Sequence, residues 1–254
     1  MIPKIIHLCW LSGDAFPNKI AKCIDSWKRI MPDYEIVLWD TKRFDLNQSL
    51  WVKQAFEKKK YAFAADYIRF YALYTMGGIY LDSDVEVLKR FDDFLDLPYF
   101  IGAEKAGTPE AAIIGAEKGC DWIKKCLDYY EGRNFIKEDG SLDIRKLPEI
   151  MDEQIIKLKP IRVLNLNESR NIRQLDFQKE VLVLNDAYFS PKVFDSREVE
   201  LTPNTYAIHH YQNSWFSPKA KAYYRLRAFT IKLFGYQFVR KSERLLMPWK
   251  FRKN

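Results

Sequence analysis

No Cys-x-x-Cys pair, no internal repeat, no low-complexity tract and no uninterrupted apolar run of membrane-spanning length occurs in the 254-residue sequence. The four cysteines, Cys9, Cys23, Cys120 and Cys126, sit singly in or beside apolar stretches, so they read as buried free thiols and favour a reducing compartment. The most membrane-like window, Tyr61 to Leu81, contains Asp66, Arg69 and Gly77-Gly78. Charges at that depth are costly in lipid, which excludes a transmembrane helix there. The opening Met1-Ile-Pro-Lys-Ile-Ile-His7 has too short an apolar run for a signal peptide and reads as a first strand. A cytoplasmic location is expected.

Acids are scarce in one region only. From Lys219 onward eleven Lys and Arg face a single acid, Glu243, whereas the first 218 residues carry three more acids than bases. A protein basic throughout is thereby excluded. The pattern is that of an acidic-to-neutral body, residues 1–217, carrying a basic tail, residues 218–254. An apolar content of 48% is enough for one full core, and the aromatic share of 15% suits a protein that stacks rings on planar or sugar ligands.

Along the chain, Lys4 to Trp10 is a short apolar strand, Asn18 to Ile30 a helix stopped by Pro32-Asp33, Tyr34 to Trp39 a strand, and Leu50 to Lys60 a helix. This βαβα order predicts an α/β fold with a mostly parallel sheet. Tyr61 to Met76 is a third helix, with Ala65, Ile68, Ala72 and Met76 near one face and Gly77-Gly78 as its stop. Ile79-Tyr-Leu81 is a very short buried strand ending on Asp82. Further strands are expected at Tyr99 to Ala103, Ala111 to Gly115, Val181 to Leu184 and Tyr206 to His209, and helices at Asp121 to Tyr130 and Pro148 to Leu158. In the tail, Ala222, Leu226, Phe229 and Leu233 recur at helical spacing opposite Lys221, Arg225 and Lys232, a basic amphipathic helix. A second such piece runs from Phe238 to Trp249 and is closed by Pro248.

Functional groups of open α/β sheets gather at the carboxyl ends of strands, where both Trp10 and Asp82 stand. An extended Asp82-Ser83-Asp84 puts two carboxylates on one side of the chain, where both reach one hard divalent cation. Mg²⁺ or Mn²⁺ held there can bridge a diphosphate and neutralise charge on a departing nucleoside diphosphate. The calcium-loop reading of Asp-x-Asp fails, because the sixth position from Asp82 is Val87 where a sharp turn needs Gly.

Asp66 and Arg69 share a helix face. They are either an exposed ion pair or a site in which Asp66 accepts from ribose or sugar hydroxyls and Arg69 contacts phosphate or the donor sugar. Trp10 is either core or a platform for a nucleobase. Of His209-His210, at most one side chain enters a given site, as a metal ligand shared with Asp84.

The ordered segments Ile2 to Trp10, Cys23-Ile-Asp-Ser-Trp-Lys28, Pro32-Asp-Tyr-Glu-Ile36, Tyr61-Ala-Phe-Ala-Ala-Asp-Tyr-Ile-Arg69 and Gly77-Gly-Ile-Tyr-Leu-Asp-Ser-Asp-Val85 resemble glycosyltransferase family 32. That family includes capsular polysaccharide transferases and initiating mannosyltransferases. The resemblance covers residues 2 to 104 and returns at His209 to Trp215. It implies a GT-A-type single Rossmann-like domain, a nucleotide-diphosphate sugar as donor, Mn²⁺ or Mg²⁺, and transfer with retention at the anomeric carbon. It further implies that Trp10 stacks the base and that Asp66 and Arg69 hold ribose, sugar or phosphate. Asp82 and Asp84 are implied to bind ribose and metal-diphosphate, and His210, Ser214 and Trp215 to close over the phosphates, His210 as a metal ligand. One departure stands out: where the family often has Asn before the apolar run Ala112-Ile113-Ile114, this chain has Glu110-Ala111.

The expected activity is therefore metal-dependent, retaining sugar transfer from a UDP- or GDP-linked donor to a glycan or lipid-linked saccharide acceptor in surface polysaccharide synthesis. Asp82, Asp84 and Arg69 are its expected catalytic groups. The rivals are a metal-dependent phosphotransferase or nuclease, which also needs paired carboxylates, and a non-enzymatic module whose tail grips nucleic acid. Leu, Phe and Trp among the tail's basic residues favour peripheral contact with the anionic inner face of a cell membrane over nucleic acid.

Overall fold

The computed structural model describes residues 1–105, 107–192, 198–212 and 218–246. The chain runs β1 (Ile5–Cys9), α1 (Asn18–Ile30), β2 (Glu35–Trp39), α2 (Leu50–Glu57), α3 (Tyr61–Met76), β3 (Gly78–Leu81), β4 (Val85–Val87), β5 (Tyr99–Ala103) and β6 (Pro109–Ala116). It continues through α4 (Asp121–Asp128), α5 (Leu147–Ile156), β7 (Ile161–Val163), α6 (Leu166–Arg170), β8 (Val181–Val183) and β9 (Ala207–His209), and then α7 (Pro218–Phe234) and α8 (Tyr236–Leu246).

The central sheet has the order β2-β1-β3-β6-β5. β1 pairs parallel with β2 and β3, while β6 runs antiparallel to both β3 and β5, so four of the five strands point one way. The α/β class and the mostly parallel central sheet expected of a GT-A-type domain are thus observed. Side chains alternate between two cores, with Tyr80 on one face and Ile79 and Leu81 on the other. Helices α2 to α5 cover the first face, and α1 covers the second, where β4 and β9 form a separate antiparallel pair.

Helix α2 stops three residues before Lys60, because Lys59 takes a left-handed φ of 55° and Lys60 N–H turns back to the Ala55 carbonyl. α3 stops as expected at Gly77, whose φ of 69° suits glycine and whose N–H caps the Leu73 carbonyl. Gly78 needs its missing side chain too: φ is 107°, and an added Cβ would lie 2.8 Å from the Ile5 carbonyl oxygen of the neighbouring strand. The pair therefore delivers the chain from α3 straight into the centre of the sheet.

Helix α1 is pinned to β4, the strand directly after Asp84. The Trp27 indole N–H donates to the Val85 carbonyl at 2.7 Å, and the Ser26 hydroxyl accepts from Val87 N–H at 2.9 Å. β7 and β8, which the sequence pattern showed only in part, pair parallel, and Leu184 extends β8 along the outer edge of β5.

Helices α7 and α8 fold back on each other at Gly235, φ 81°. Ala228, Ile231 and Val239 are buried, and Glu243 accepts from Arg227 and Tyr223. Leu226, Phe229 and Leu233 of the stripe singled out in the sequence face outward, as do Phe234 and Phe238, all 57–64% exposed. Arg225, Lys232, Arg240 and Lys241 are exposed as well. Met247, Pro248 and Trp249 lie outside the described residues. No described helix is long and apolar enough to cross a membrane.

Candidate active site

The site stands at the carboxyl ends of the parallel strands, where β1 ends at Cys9, β2 leads to Asp40 and β3 leads to Asp82. Asp82-Ser83-Asp84 is not extended, as expected from the sequence, but a turn closed by Val85 N–H to the Asp82 carbonyl at 3.0 Å. The reason is topological: β3 belongs to the central sheet and β4 to the pair with β9, so the chain changes direction between them. The turn gathers both carboxylates.

Each carboxylate is anchored through one oxygen. Asp82 Oδ1 accepts from Arg69 at 3.1 Å and from the Tyr80 hydroxyl at 3.0 Å. Asp84 Oδ2 accepts from Gln212 N–H at 2.7 Å, and its Oδ1 faces His209 Nε2 at 3.5 Å. Burial raises the pKa of Asp82, with the Arg69 charge opposing it. Asp84 is also buried, yet the imidazolium of His209 and the Gln212 hydrogen bond outweigh that and hold its carboxyl at about 2. Burial alone would push the His209 pKa down, but Asp84 and Glu110 on either side carry it well above the usual histidine range.

His209, not His210, joins the cluster. Adjacent strand residues point to opposite faces. β9 sets His209 across from Val85 in the register with β4, beside Asp84, and sends the His210 ring to Glu86 at 2.8 Å. The sequence-based assignment of His210 as ligand is corrected accordingly. Ligand atoms of Asp82, Asp84 and His209 all lie within 4.8 Å of one another. Two carboxylate oxygens and one imidazole nitrogen fit Mn²⁺ or Mg²⁺ better than a soft metal.

Arg69 is not the exposed partner that one reading of the spacing gave. Its guanidinium is 5% exposed, lies 4.4 Å from the Tyr80 ring centroid, and donates to the Ala111 carbonyl, to Asp82, and to Asp66 at 3.3 Å. The helix-face pair predicted from spacing exists, with Arg69 buried and Asp66 partly exposed. Asp66, 13% exposed, has its carboxyl lifted to about 7 by desolvation against the pull of Arg69. Trp10, half-buried, is held by its indole N–H to the Asp14 carbonyl at 2.8 Å and edge-on to Phe16 at 5.0 Å. Ser214 and Trp215 lie outside the described residues.

The structure adds two groups to the site: Glu110, noted in the sequence only as a departure from the family's pattern, and Tyr211, which the sequence reading gave no role. Glu110 opens the fully buried strand β6 and is itself 3% exposed. Its carboxylate accepts from Ala112 N–H, the Ser190 hydroxyl and the Tyr211 hydroxyl, and reaches within 3.4 Å of His209 Nδ1. A charged residue heading an otherwise apolar run was the signal available for it. Tyr211 takes a left-handed φ of 51°, which turns the chain so that Gln212 N–H meets Asp84.

Residues 17–101 match the family described as "Glycosyltransferase sugar-binding region containing DXD motif". The single Asp-x-Asp in that segment is Asp82-Ser83-Asp84. The chain is 32% identical over 122 residues to inositol phosphoceramide mannosyltransferase 3 of Schizosaccharomyces pombe, covering 46% of this chain and 34% of the relative. It is 34% identical over 154 residues to an uncharacterized glycosyltransferase of Acanthamoeba polyphaga mimivirus, covering 57% of this chain and 60% of the relative. It thus spans about a third of the first relative's length and three fifths of the second's. Among solved structures, the PaToxG glycosyltransferase aligns at TM-score 0.45 and 22% identity, covering 62% of this chain and 71% of its own. The galactosyltransferase LgtC aligns at TM-score 0.43 and 11% identity, covering 89% and 95%.

Proposed function

We propose that this chain is a metal-dependent glycosyltransferase that moves a hexose from a UDP- or GDP-linked donor to a glycan or lipid-linked saccharide. The observation that carries the reading is the convergence of Asp82, Asp84 and His209 at the carboxyl edge of the sheet. A divalent cation there supplies positive charge to the leaving diphosphate. Asp82 and Asp84 offer it one oxygen each, already oriented by Arg69, Tyr80 and Gln212. Such charge, fixed before the reaction begins, is worth more than mobile solvent dipoles.

Trp10 offers its ring to the nucleobase, and Asp66 faces the ribose or sugar hydroxyls. Arg69 acts through Asp66 and Asp82, not on the phosphates. In the retaining transfer proposed, the anomeric carbon–oxygen bond to the diphosphate breaks and the acceptor oxygen bonds to that carbon on the same face. The acceptor proton passes to a diphosphate oxygen. Relatives named as inositol phosphoceramide mannosyltransferases support a lipid-linked acceptor.

The α7–α8 hairpin supports peripheral attachment to an anionic cytoplasmic membrane face, as in surface polysaccharide synthesis. Its one acid, Glu243, is engaged by Arg227 and Tyr223, while basic and apolar side chains occupy the exposed surface.

A thermal-shift panel of UDP, GDP and their sugars, with and without Mn²⁺, tests the reading. The expected result is stabilisation by one nucleotide class that requires Mn²⁺ and disappears in Asp84→Asn. Folded protein showing no metal-dependent shift with any nucleotide overturns it.

A further inference from the structure

We infer that Glu110 is a positioning residue for the metal site: it fixes the His209 proton on Nδ1, so that Nε2 is presented to a divalent cation beside Asp82 and Asp84. This rests on the metal-dependent reading above and names a part of the site that neither the Asp-x-Asp motif nor the matched segment, residues 17–101, contains.

The geometry is a line of three groups. The His209 ring lies between two carboxylates, with Nε2 3.5 Å from Asp84 Oδ1 and Nδ1 3.4 Å from Glu110 Oε1. A neutral imidazole has one nitrogen that donates and one that accepts. With a cation on the Asp84 side, the accepting nitrogen must be Nε2, and the proton then sits on Nδ1, a buried nitrogen without another hydrogen-bond partner, 3.4 Å from the Glu110 carboxylate. The opposite tautomer would aim the Nε2 proton at the cation and set the Nδ1 lone pair against the Glu110 oxygen. Metal-binding histidines depend on such a partner for orientation and basicity.

Both Glu110 oxygens are used by donors, Ala112 N–H on Oε1 and the Ser190 and Tyr211 hydroxyls on Oε2, which holds the carboxylate in one orientation beside the ring. Burying a carboxylate is costly unless a positive or donor partner compensates it, and His209 Nδ1, 3.4 Å away, is the ring nitrogen that would carry the compensating proton. Tyr211 completes the clamp: its ring centroid is 4.1 Å from that of His209 while its hydroxyl is bonded to Glu110. Strand β6 therefore sets the angle of an imidazole carried by β9.

The test is a double-mutant cycle on Mn²⁺ affinity, read from the electron paramagnetic resonance of free Mn²⁺ without donor or acceptor. Glu110→Gln keeps the side-chain shape and should weaken Mn²⁺ binding about tenfold, and Glu110→Ala by roughly 10–100-fold. In a His209→Ala background, Glu110→Gln should cause no further loss, because the ring it orients is gone. An equal loss in both backgrounds would show that Glu110 acts through the fold and would overturn the inference. Unchanged affinity in folded Glu110→Gln and Glu110→Ala would overturn it while leaving the metal reading intact. Failure of the unaltered protein to bind Mn²⁺ would overturn both.

Discussion

The two ends of this molecule treat charge in opposite ways. At the strand ends, Arg69, Asp84 and Glu110 are buried, Asp66, Asp82 and His209 are half-buried, and the six face one another, each carboxylate answered by a cation or a donor. In the α7–α8 hairpin, positive side chains and large apolar ones both face outward, and the single acid is turned inward. Buried, matched charge fixes geometry, because each group is costly to leave alone. Exposed, unmatched charge fixes little about the fold but attracts a partner of opposite sign. The first arrangement suits chemistry and the second suits attachment.

The contrast breaks most visibly at Asp84. Asp84→Asn keeps an oxygen for Gln212 N–H but removes the negative charge offered to the cation. Turnover in a donor-hydrolysis or transfer assay should fall by on the order of a thousandfold or more, with an unaltered circular dichroism spectrum. Near-native turnover would mean that the matched cluster is not the reaction centre.

Arg69→Met asks whether the pairing with Asp66 and Asp82 is structural. Removing the buried guanidinium leaves the half-buried Asp66 and Asp82 without their cation, and since both keep some access to water the loss should lie at or below about 3–5 kcal/mol, the cost of breaking a fully buried pair. Urea unfolding should show that loss, whereas Lys28→Met, whose pair with Asp25 is exposed, should change stability by less than about 1 kcal/mol. Similar values for the two variants would erase the distinction between buried and surface charge drawn above.

His7 sharpens the comparison with a buried group that stays neutral. Its ring accepts from the Trp39 indole at Nδ1 and donates from Nε2 to the Gly77 carbonyl, and burial lowers its pKa to about 4. The unfolded chain takes up this proton first as pH falls, so the stability is complete above about pH 6.5 and is lost as pH drops towards 4. The loss is on the order of 3 kcal/mol by linkage from that shift. Unfolding followed from pH 7 to pH 4 should be more acid-sensitive in the unaltered protein than in His7→Gln. Parallel curves would show that His7 is not held neutral by its burial.

Much of the fold was legible because its first half obeys local rules. Strand β1 to strand β3 alternate with amphipathic helices, and Gly77-Gly78 marks the stop that burial and φ confirm. Asp82 and Asp84 were legible from a two-residue spacing beside an apolar strand. What was not legible depends on long-range register. The choice between His209 and His210 is set by pairing with β4, more than a hundred residues earlier, and no local pattern encodes it. The same holds for Arg69: helix spacing showed its pairing with Asp66, but only the packing of α3 beneath β3 and β6 shows that it is buried. Glu110 was visible as an oddity of composition, and its meaning required seeing β6 laid against the end of β9.

The smallest effect belongs to the hairpin, where the comparison is tested from its other side. Phe229 stands 59% exposed beside basic residues, and its insertion into a lipid interface would remove that apolar surface from water. Phe229→Ser should weaken binding to vesicles containing phosphatidylserine by about tenfold, equivalent to roughly 1.4 kcal/mol, as measured by co-sedimentation. The same substitution should leave transfer to a soluble acceptor unchanged, since no contact ties this side chain to the Asp82–Asp84–His209 cluster among the described residues. Binding to neutral phosphatidylcholine vesicles should be weak for both proteins, and added salt should release the unaltered protein from the anionic ones. If affinity instead ignores both lipid charge and Phe229, the hairpin's exposed surface is not a membrane-attachment device, and the division of labour between matched and unmatched charge fails on the tail side while the site stands.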